Sequence, residues 1–374
     1  MDYQLFSADD HIDLHFLPAD LWTARVPAAF RDRAPHVVET PDGQEWRVQD
    51  HVFGRFAKSN QRMITEFGKS GTLVHHEESR WRPTTPELRL EDMDRDGVEA
   101  QVLYGGLITG FQQKDPELNA ICQRAYNEWT VEFCNSSPGR LIGLGFLPVH
   151  NVEAAVKEIR YCAKIGLKGV QFQPFDAYRQ PWDEVWEPLW AASADTGVSI
   201  SFHIGAGTWT TVFDDILGGP KGRGATATFV ATAPNQMDEL LCSLVLSGVL
   251  HRHPDFQAVL GESSIGWIPY ILERMDRKYE ERHIRARKDD AADLDMMPSD
   301  YWKRQGHATF QEDPIGVQLL EYMGPQTVMW ASDYPHTDSV WPESHETVDK
   351  MFKDVDPRVT KMVLRENGLK LYSS

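Results

Sequence analysis

Near the start of the chain, two aspartates and a histidine follow a short apolar run, in the stretch FSADDHIDLH at residues 6–15. Asp9 and His11 stand two apart, so on a strand they face the same side and can converge on one ion. Three other apolar runs end in residues of the same kind: His203 in SFHIG, Glu262 in GESS, and Asp333 in ASDYPH, with His336 three residues on. Imidazoles with several carboxylates are the ligand set for Zn, Mn or Fe. Taken singly, each residue reads more often as a turn residue or a helix cap. Their weight comes from recurring at the same end of four different runs. The set predicts a divalent metal cofactor, as one or two ions, with Asp9, His11, His203, Glu262 and Asp333 as ligands.

Such a set works only if the runs lie side by side. Eight β-branched or aromatic runs are candidate strands: QLFSAD (4–9), EAQVLYG (99–105), LIGLGFLP (141–148), KGVQFQP (168–174), VSISFHI (198–204), FQAVLGE (256–262), ATFQE (308–312) and TVMWASD (327–333). Helical patterns separate most of them. Leu118, Ile121, Cys122, Ala125 and Trp129 line one helix face, as do Met237, Leu240, Leu241, Leu244 and Val245, and Ile268, Ile271, Leu272, Met275 and Tyr279. Asp313-Pro314 reads as an N-cap followed by proline in the first turn, and Gly166 and Gly197 read as helix stops. This alternation predicts an α/β protein, a distorted (β/α)8 TIM barrel with inserted lid segments. A doubly wound open sheet is the second choice, disfavoured because no Gly-rich phosphate turn follows the first strand. In a barrel the site lies at the C-terminal ends of the strands. Residues 14–86 and 205–233 fit no barrel unit and read as structureless lid or binding segments. Without a low-complexity linker, residues 1–374 read as a single domain.

Composition narrows the function classes. The 374 residues carry a net charge of −18, which argues against nucleic acid as a partner. No apolar run reaches the roughly 18 residues of a membrane span, and the N-terminus lacks the pattern of a secretory signal. Cys122, Cys134, Cys162 and Cys242 are few, widely spaced and inside helical patterns, as expected of reduced thiols in a cytoplasmic protein. His75-His76 resembles a metal pair, but adjacent strand residues point oppositely, so it reads as surface. Several of the twelve tryptophans, Trp182, Trp186 and Trp190 among them, cluster near one helix and read as packing against a neighbouring helix or a subunit.

The ordered stretches SADDH, LEDMDRDGVEAQVLY, PGRLIGLGFLPVHNVEAAVKEI, GLKGVQFQP, SFHIG, GESSIGWIPYILERMD and VMWASDYPH resemble the amidohydrolase-related family. The branch they are similar to includes aminocarboxymuconate-semialdehyde decarboxylase and the resorcylate decarboxylases, and the likeness runs from about residue 5 to the C-terminus. The resemblance implies a distorted (β/α)8 barrel holding a divalent metal. It places Asp9 and His11 at the first-strand metal motif, where Glu-x-His or His-x-His is common in decarboxylases. It places His203 at the fifth-strand ligand, and Asp333 at the eighth-strand aspartate that binds metal and moves a proton. The departure is at the sixth strand, where decarboxylases carry a catalytic histidine and this chain has Glu262-Ser263.

Three mechanisms are open to these residues. In hydrolysis, Asp333 takes the proton of a metal-activated water and His336 orients it. In decarboxylation, Asp333 or Glu262 protonates the carbon that loses CO2. The alternative is a non-haem di-iron oxygenase, favoured by the carboxylate-rich site. The expected catalytic residues are Asp333, Glu262 and His336, acting on a small organic acid or carbonyl compound, aromatic or cyclic. Trp209, Phe213, Lys221 and Arg223 in the loop after the fifth strand are candidates to cover such an acid. Tyr104 reads equally as a pocket or a core residue. The family resemblance also implies a homodimer or larger homo-oligomer.

Overall fold

The structure is a computed structural model. It describes residues 4–12, 14–41, 43–48, 51–56, 76–77, 80–81, 85–105, 115–174, 176–204, 228, 231–281, 292–336 and 339–372. His75 and residues 205–227, with Trp209, Phe213, Lys221 and Arg223, lie outside the described residues.

All eight expected strands form, and they make one parallel sheet in chain order. They are β1 (Leu5–Ile12), β2 (Val98–Gly105), β3 (Leu141–Phe146), β4 (Gly169–Gln171), β5 (Ser199–His203), β6 (Ala258–Gly261), β7 (Gly306–Phe310) and β8 (Val328–Trp330). Parallel strands buried on both faces need crossover helices, and these are present. They include α1 (Pro86–Asp96), α2 (Pro116–Cys134), α3 (Val152–Ile165), α4 (Glu187–Thr196), α5 (Asp238–Leu246), α6 (Ile268–Glu280) and α7 (Pro314–Gln318). The apolar stripes read from the sequence are the buried faces: Leu118, Cys122, Ala125 and Trp129 of α2 are buried, as are Ile268, Leu272, Met275 and Tyr279 of α6. Gly166 and Gly197 end α3 and α4 with φ of 98° and 69°, where a Cβ is strained. Strand β7 begins two residues earlier than expected, because the helix Pro298–Gln305 runs straight into it.

The sheet closes between β1 and the segment after β8. The Asp333 amide donates to the Asp9 carbonyl at 3.0 Å, and the His11 amide donates to the Tyr334 carbonyl at 2.7 Å. Side chains add to this seam. The Ser332 amide donates to Ser7 Oγ at 2.7 Å, and Asp10 Oδ1 accepts from the Tyr334 amide at 3.0 Å and from Ser332 Oγ. Inside the ring, Phe6 and Ala8 pack with Ala100, Val102 and Met329, while Leu5 and Ile12 join the larger core outside it.

The segment 14–86 departs from the expectation of a structureless insertion. Its described part holds short helical turns and a three-stranded antiparallel sheet of His36–Thr40, Gly43–Val48 and His51–Arg55. Trp46 anchors it: the ring is fully buried, meets Trp22 edge-on at 5.0 Å, and donates Nε1–H to the Leu14 carbonyl at 2.8 Å. Trp22 in turn donates to the Cys122 carbonyl of α2. Trp186 and Trp190 are also fully buried, against Phe172, Phe202 and Phe256. They belong to the barrel wall, not to a subunit contact.

If the inserted sheet is part of the main core, Trp46→Ala lowers the stability of the whole chain by about 3–5 kcal/mol. Denaturant unfolding checks this, and a loss below about 1 kcal/mol would mean the sheet is an independent appendage.

Candidate metal centre

Asp9 and His11 sit inside β1 rather than beyond its end, because pairing continues to Ile12 opposite Gly105. Simple alternation does not bring Asp9 inward. Phe6 and Ala8 already face the interior, so Asp9 would point outward with Ser7. A register shift between Ser7 and Asp10 puts one extra residue on β1 opposite β2. Such a bulge re-aims the side chains after it. Asp9 and His11 face in, and Asp10 faces out.

The ligand atoms then converge. His11 Nε2 lies 3.5 Å from Asp9 Oδ1 and 3.2 Å from Asp333 Oδ1. His203 Nε2 lies 3.5 Å from Asp9 Oδ1 and 3.3 Å from Glu262 Oε2. Two overlapping groups have ligand atoms within 4.8 Å of one another: Asp9, His11 and His203; and His11, Glu262, Asp333 and His336. Every predicted site residue is in one of them. His336 also stacks on His11, ring centroids 3.9 Å apart, and its Nδ1 lies 3.0 Å from Asp333 Oδ1.

The surroundings orient the ligands. Asp9 Oδ2 accepts from Thr309 Oγ1 at 2.6 Å and from the Glu262 amide at 2.8 Å, while Oδ1 has no hydrogen-bond partner among the described residues. His203 Nδ1 lies against the Ile204 carbonyl at 2.5 Å, which places a proton there and makes Nε2 the nitrogen that faces the cluster; Nε2 too makes no hydrogen bond among the described residues. Two buried, unsatisfied ligand atoms facing one space fit a cation. A side chain at Gly261 would end that fit, since a Cβ there would come within 2.8 Å of the His203 ring and 3.3 Å of Asp9 Oδ2.

Backbone strain marks the same places. Glu262, Ser264 and Asp333 have φ of 48°, 48° and 59°, a region that non-glycine residues rarely adopt. The seam holds Asp333. Asp313 holds the turn after β6: Oδ2 accepts from the Ile265 and Gly266 amides at 2.8 and 2.7 Å, while Oδ1 caps α7 through the Gly316 amide at 2.7 Å. The sequence marked Asp313 only as a helix cap. Thr309 and Asp313 were missed as site supports because a short polar residue beside a turn has no distinctive spacing. Tyr104 is fully buried, with its ring 4.9 Å from that of His203 and 5.8 Å from that of His11, so it floors the site from within the core.

Protonation follows from burial and crowding. Burial raises the Asp9 carboxyl, but His203 and His11 outweigh it and hold it well below the carboxylate range. Burial and His336 disfavour a charge on His11, yet Asp333 and Asp9 push it up to about 10. Burial and the Asp333 charge push Glu262 up to about 8. Burial would raise Asp333 as well, but His336 and His11 hold it down. Protons thus balance the carboxylates, and a divalent cation would take their place.

Fold and site together define a (β/α)8 barrel whose strand ends carry a histidine and carboxylate cluster that could hold a divalent metal. The family model described as amidohydrolase matches residues 12–373, and the chain belongs to that family. A 2-amino-3-carboxymuconate-6-semialdehyde decarboxylase from Dictyostelium discoideum is 24% identical over 254 residues; the match covers 67% of this chain and 66% of that protein's length, just under two thirds. The crystal structure of an amidohydrolase from Mycobacterium avium subsp. paratuberculosis has a TM-score of 0.77 at 17% identity and covers 99% of each chain. A 5-carboxyvanillate decarboxylase from Novosphingobium aromaticivorans, complexed with manganese and a hydroxy-methoxy-nitrobenzoic acid, has a TM-score of 0.68 at 18% identity and covers 100% of this chain and 97% of that one. The expectation of a di-iron oxygenase finds no support among these relatives, which carry amidohydrolase and decarboxylase names.

Metal binding must displace the proton that His11 holds below about pH 10. Apparent affinity for Mn2+ or Zn2+ therefore rises with pH from about 6 to 8, with proton release. Calorimetry in buffers of different ionisation enthalpy reads both. An affinity flat over that range would contradict the assignment.

Proposed function

We propose that the chain is a metal-dependent carboxy-lyase that removes CO2 from a small aromatic or cyclic acid. The supporting observation is that the two ligand groups share His11: Asp9, His11 and His203 on one side, and Glu262, Asp333 and His336 on the other. The first group would hold the ion, with Asp333 within reach of it. The second handles protons beside it.

When bound, the ion supplies a positive charge that anchors the substrate carboxylate and polarises it. The other tasks fall to the chain. Glu262, with its carboxyl pushed up to about 8, carries a proton near neutrality and faces the cluster. It protonates the ring carbon that bears the carboxylate. A C–H bond forms there, the C–C bond to the carboxylate then breaks, its electron pair returns to the ring, and CO2 leaves. Asp333 stays ionised under the pull of His336 and His11, and its charge helps keep the Glu262 carboxyl raised, so that Glu262 regains a proton from solvent water between turnovers. His336 orients Asp333 through the 3.0 Å contact. In this reading Glu262 takes over the role that the family resemblance gives to a sixth-strand histidine.

Hydrolysis is the second reading, favoured by the ionised Asp333, which suits a base for water. A panel of hydroxybenzoic and related acids, assayed in D2O with Mn2+, separates the two. Decarboxylation releases CO2 and leaves deuterium at the vacated ring carbon; hydrolysis of an ester or lactone does neither. Asp333→Asn and Glu262→Gln each lower turnover by about 10²- to 10⁴-fold with the fold intact. Full activity in Glu262→Gln would remove it as the acid.

The proposal extends to setting and assembly. Among the described residues no helix is long and apolar enough to cross a membrane. The four cysteines are free, two buried and two half-buried, which suits a cytoplasmic protein. Tyr270, Ile315 and Tyr322 are 61%, 66% and 69% exposed, apolar side chains that suit contact with a second copy of the chain.

A further inference from the structure

Behind the ligand cluster, on the outer side of the ring, lies a buried charge that the chemistry above does not use. Arg89 of α1 has no exposed surface. Its Nε donates to Gln101 Oε1 at 2.7 Å, Nη1 donates to the His11 carbonyl at 2.8 Å, and Nη2 donates to the Tyr334 carbonyl at 3.4 Å. The guanidinium also lies 5.0 Å from the centre of the Tyr334 ring. Of the nearby acids, Asp10 favours that charge most; it is fully buried on the outward side of β1, burial pushes its carboxyl up to about 7, and its Oδ1 accepts from the Tyr334 amide and Ser332 Oγ.

A buried charge is a poor device for stability, since apolar groups of the same volume serve as well or better. A planar fork of donors is a good device for fixing a distance. The two carbonyls that Arg89 joins belong to His11, a ligand candidate on β1, and to Tyr334, the neighbour of Asp333 across the seam. Asp10 binds residues 332 and 334, on either side of Asp333. Neither Arg89 nor Asp10 is among the ligand atoms.

We propose that Arg89, together with Asp10, is a positioning residue that sets the separation of His11 and Asp333 and so the affinity and geometry of the metal centre. This rests on the reading of the cluster as a metal site. Supports of this kind are worth about 10- to 100-fold in metal affinity. Arg89→Lys keeps the charge but cannot reach both carbonyls and Gln101 together. Asp10→Asn keeps the shape and the acceptor oxygen but removes the ionisable carboxyl.

The test measures binding of Mn2+ to the full-length chain by competition with a chromophoric chelator, together with the visible spectrum of the Co2+-loaded protein. Circular dichroism selects variants that fold. The expected result is about a 10- to 100-fold weaker Mn2+ affinity in Arg89→Lys, a smaller loss in Asp10→Asn, and a shifted Co2+ band in both. Variants that melt earlier yet bind Mn2+ as tightly as wild type, with an unchanged Co2+ band, would reduce Arg89 to a structural role and overturn the inference alone. A wild-type chain that binds neither ion would overturn the metal site and the inference together.

Discussion

The ring of strands must close, and the closing seam is the constraint on which the site depends. Two backbone hydrogen bonds join β1 to the residues after β8, and they connect the residues that carry ligands: Asp333 to Asp9, and His11 to Tyr334. Closure and ligand convergence are therefore one event. A loosened seam would not merely open an edge; it would part Asp333 from His11. The bulge in β1 belongs to the same design. Without it, the alternation that buries Phe6 and Ala8 would turn Asp9 away from the interior.

The cluster is costly to hold together. Three carboxylates and three imidazoles share a water-poor space, and two of the carboxylates sit on left-handed backbone. Burying charge without partners costs several kcal/mol per group. The surroundings offset this with directed bonds: Thr309 and the Glu262 amide on Asp9, the Ile204 carbonyl on His203, and Asp313 on the turn after β6. Such preorganisation suits a site that receives a cation and moves a proton. In the proposed reading the two ligand groups divide these tasks, and His11 belongs to both.

Much of this was legible in the sequence. The eight runs and their order were visible because buried parallel strands read as apolar, β-branched segments, and the helix faces were visible because their period is 3.6 residues. The candidate ligands stood out because they recur at the same end of four apolar runs, although each alone reads as a turn residue or helix cap. The inserted sheet was not legible: antiparallel strands with a partly exposed face carry too weak a pattern in His36–Arg55, and the anchoring by Trp46 is a long-range contact. The bulge left no mark, since spacing of two between Asp9 and His11 is the same with or without it. Arg89 was invisible for a similar reason. On a helix with Glu87, Asp94 and Arg95 it looks like one more solvated charge, and only the tertiary fold buries it.

The central claim is that Asp9, His11 and His203 hold a divalent ion at the mouth of the barrel. It is tested most directly by metal content per chain, on protein purified without added metal or chelator, for wild type and for a variant with all three residues changed to alanine. The account predicts about one equivalent of a divalent transition metal in wild type and none in the folded variant. A metal-free wild type that also fails to take up Mn2+ or Zn2+, or a variant that keeps its metal, would contradict it.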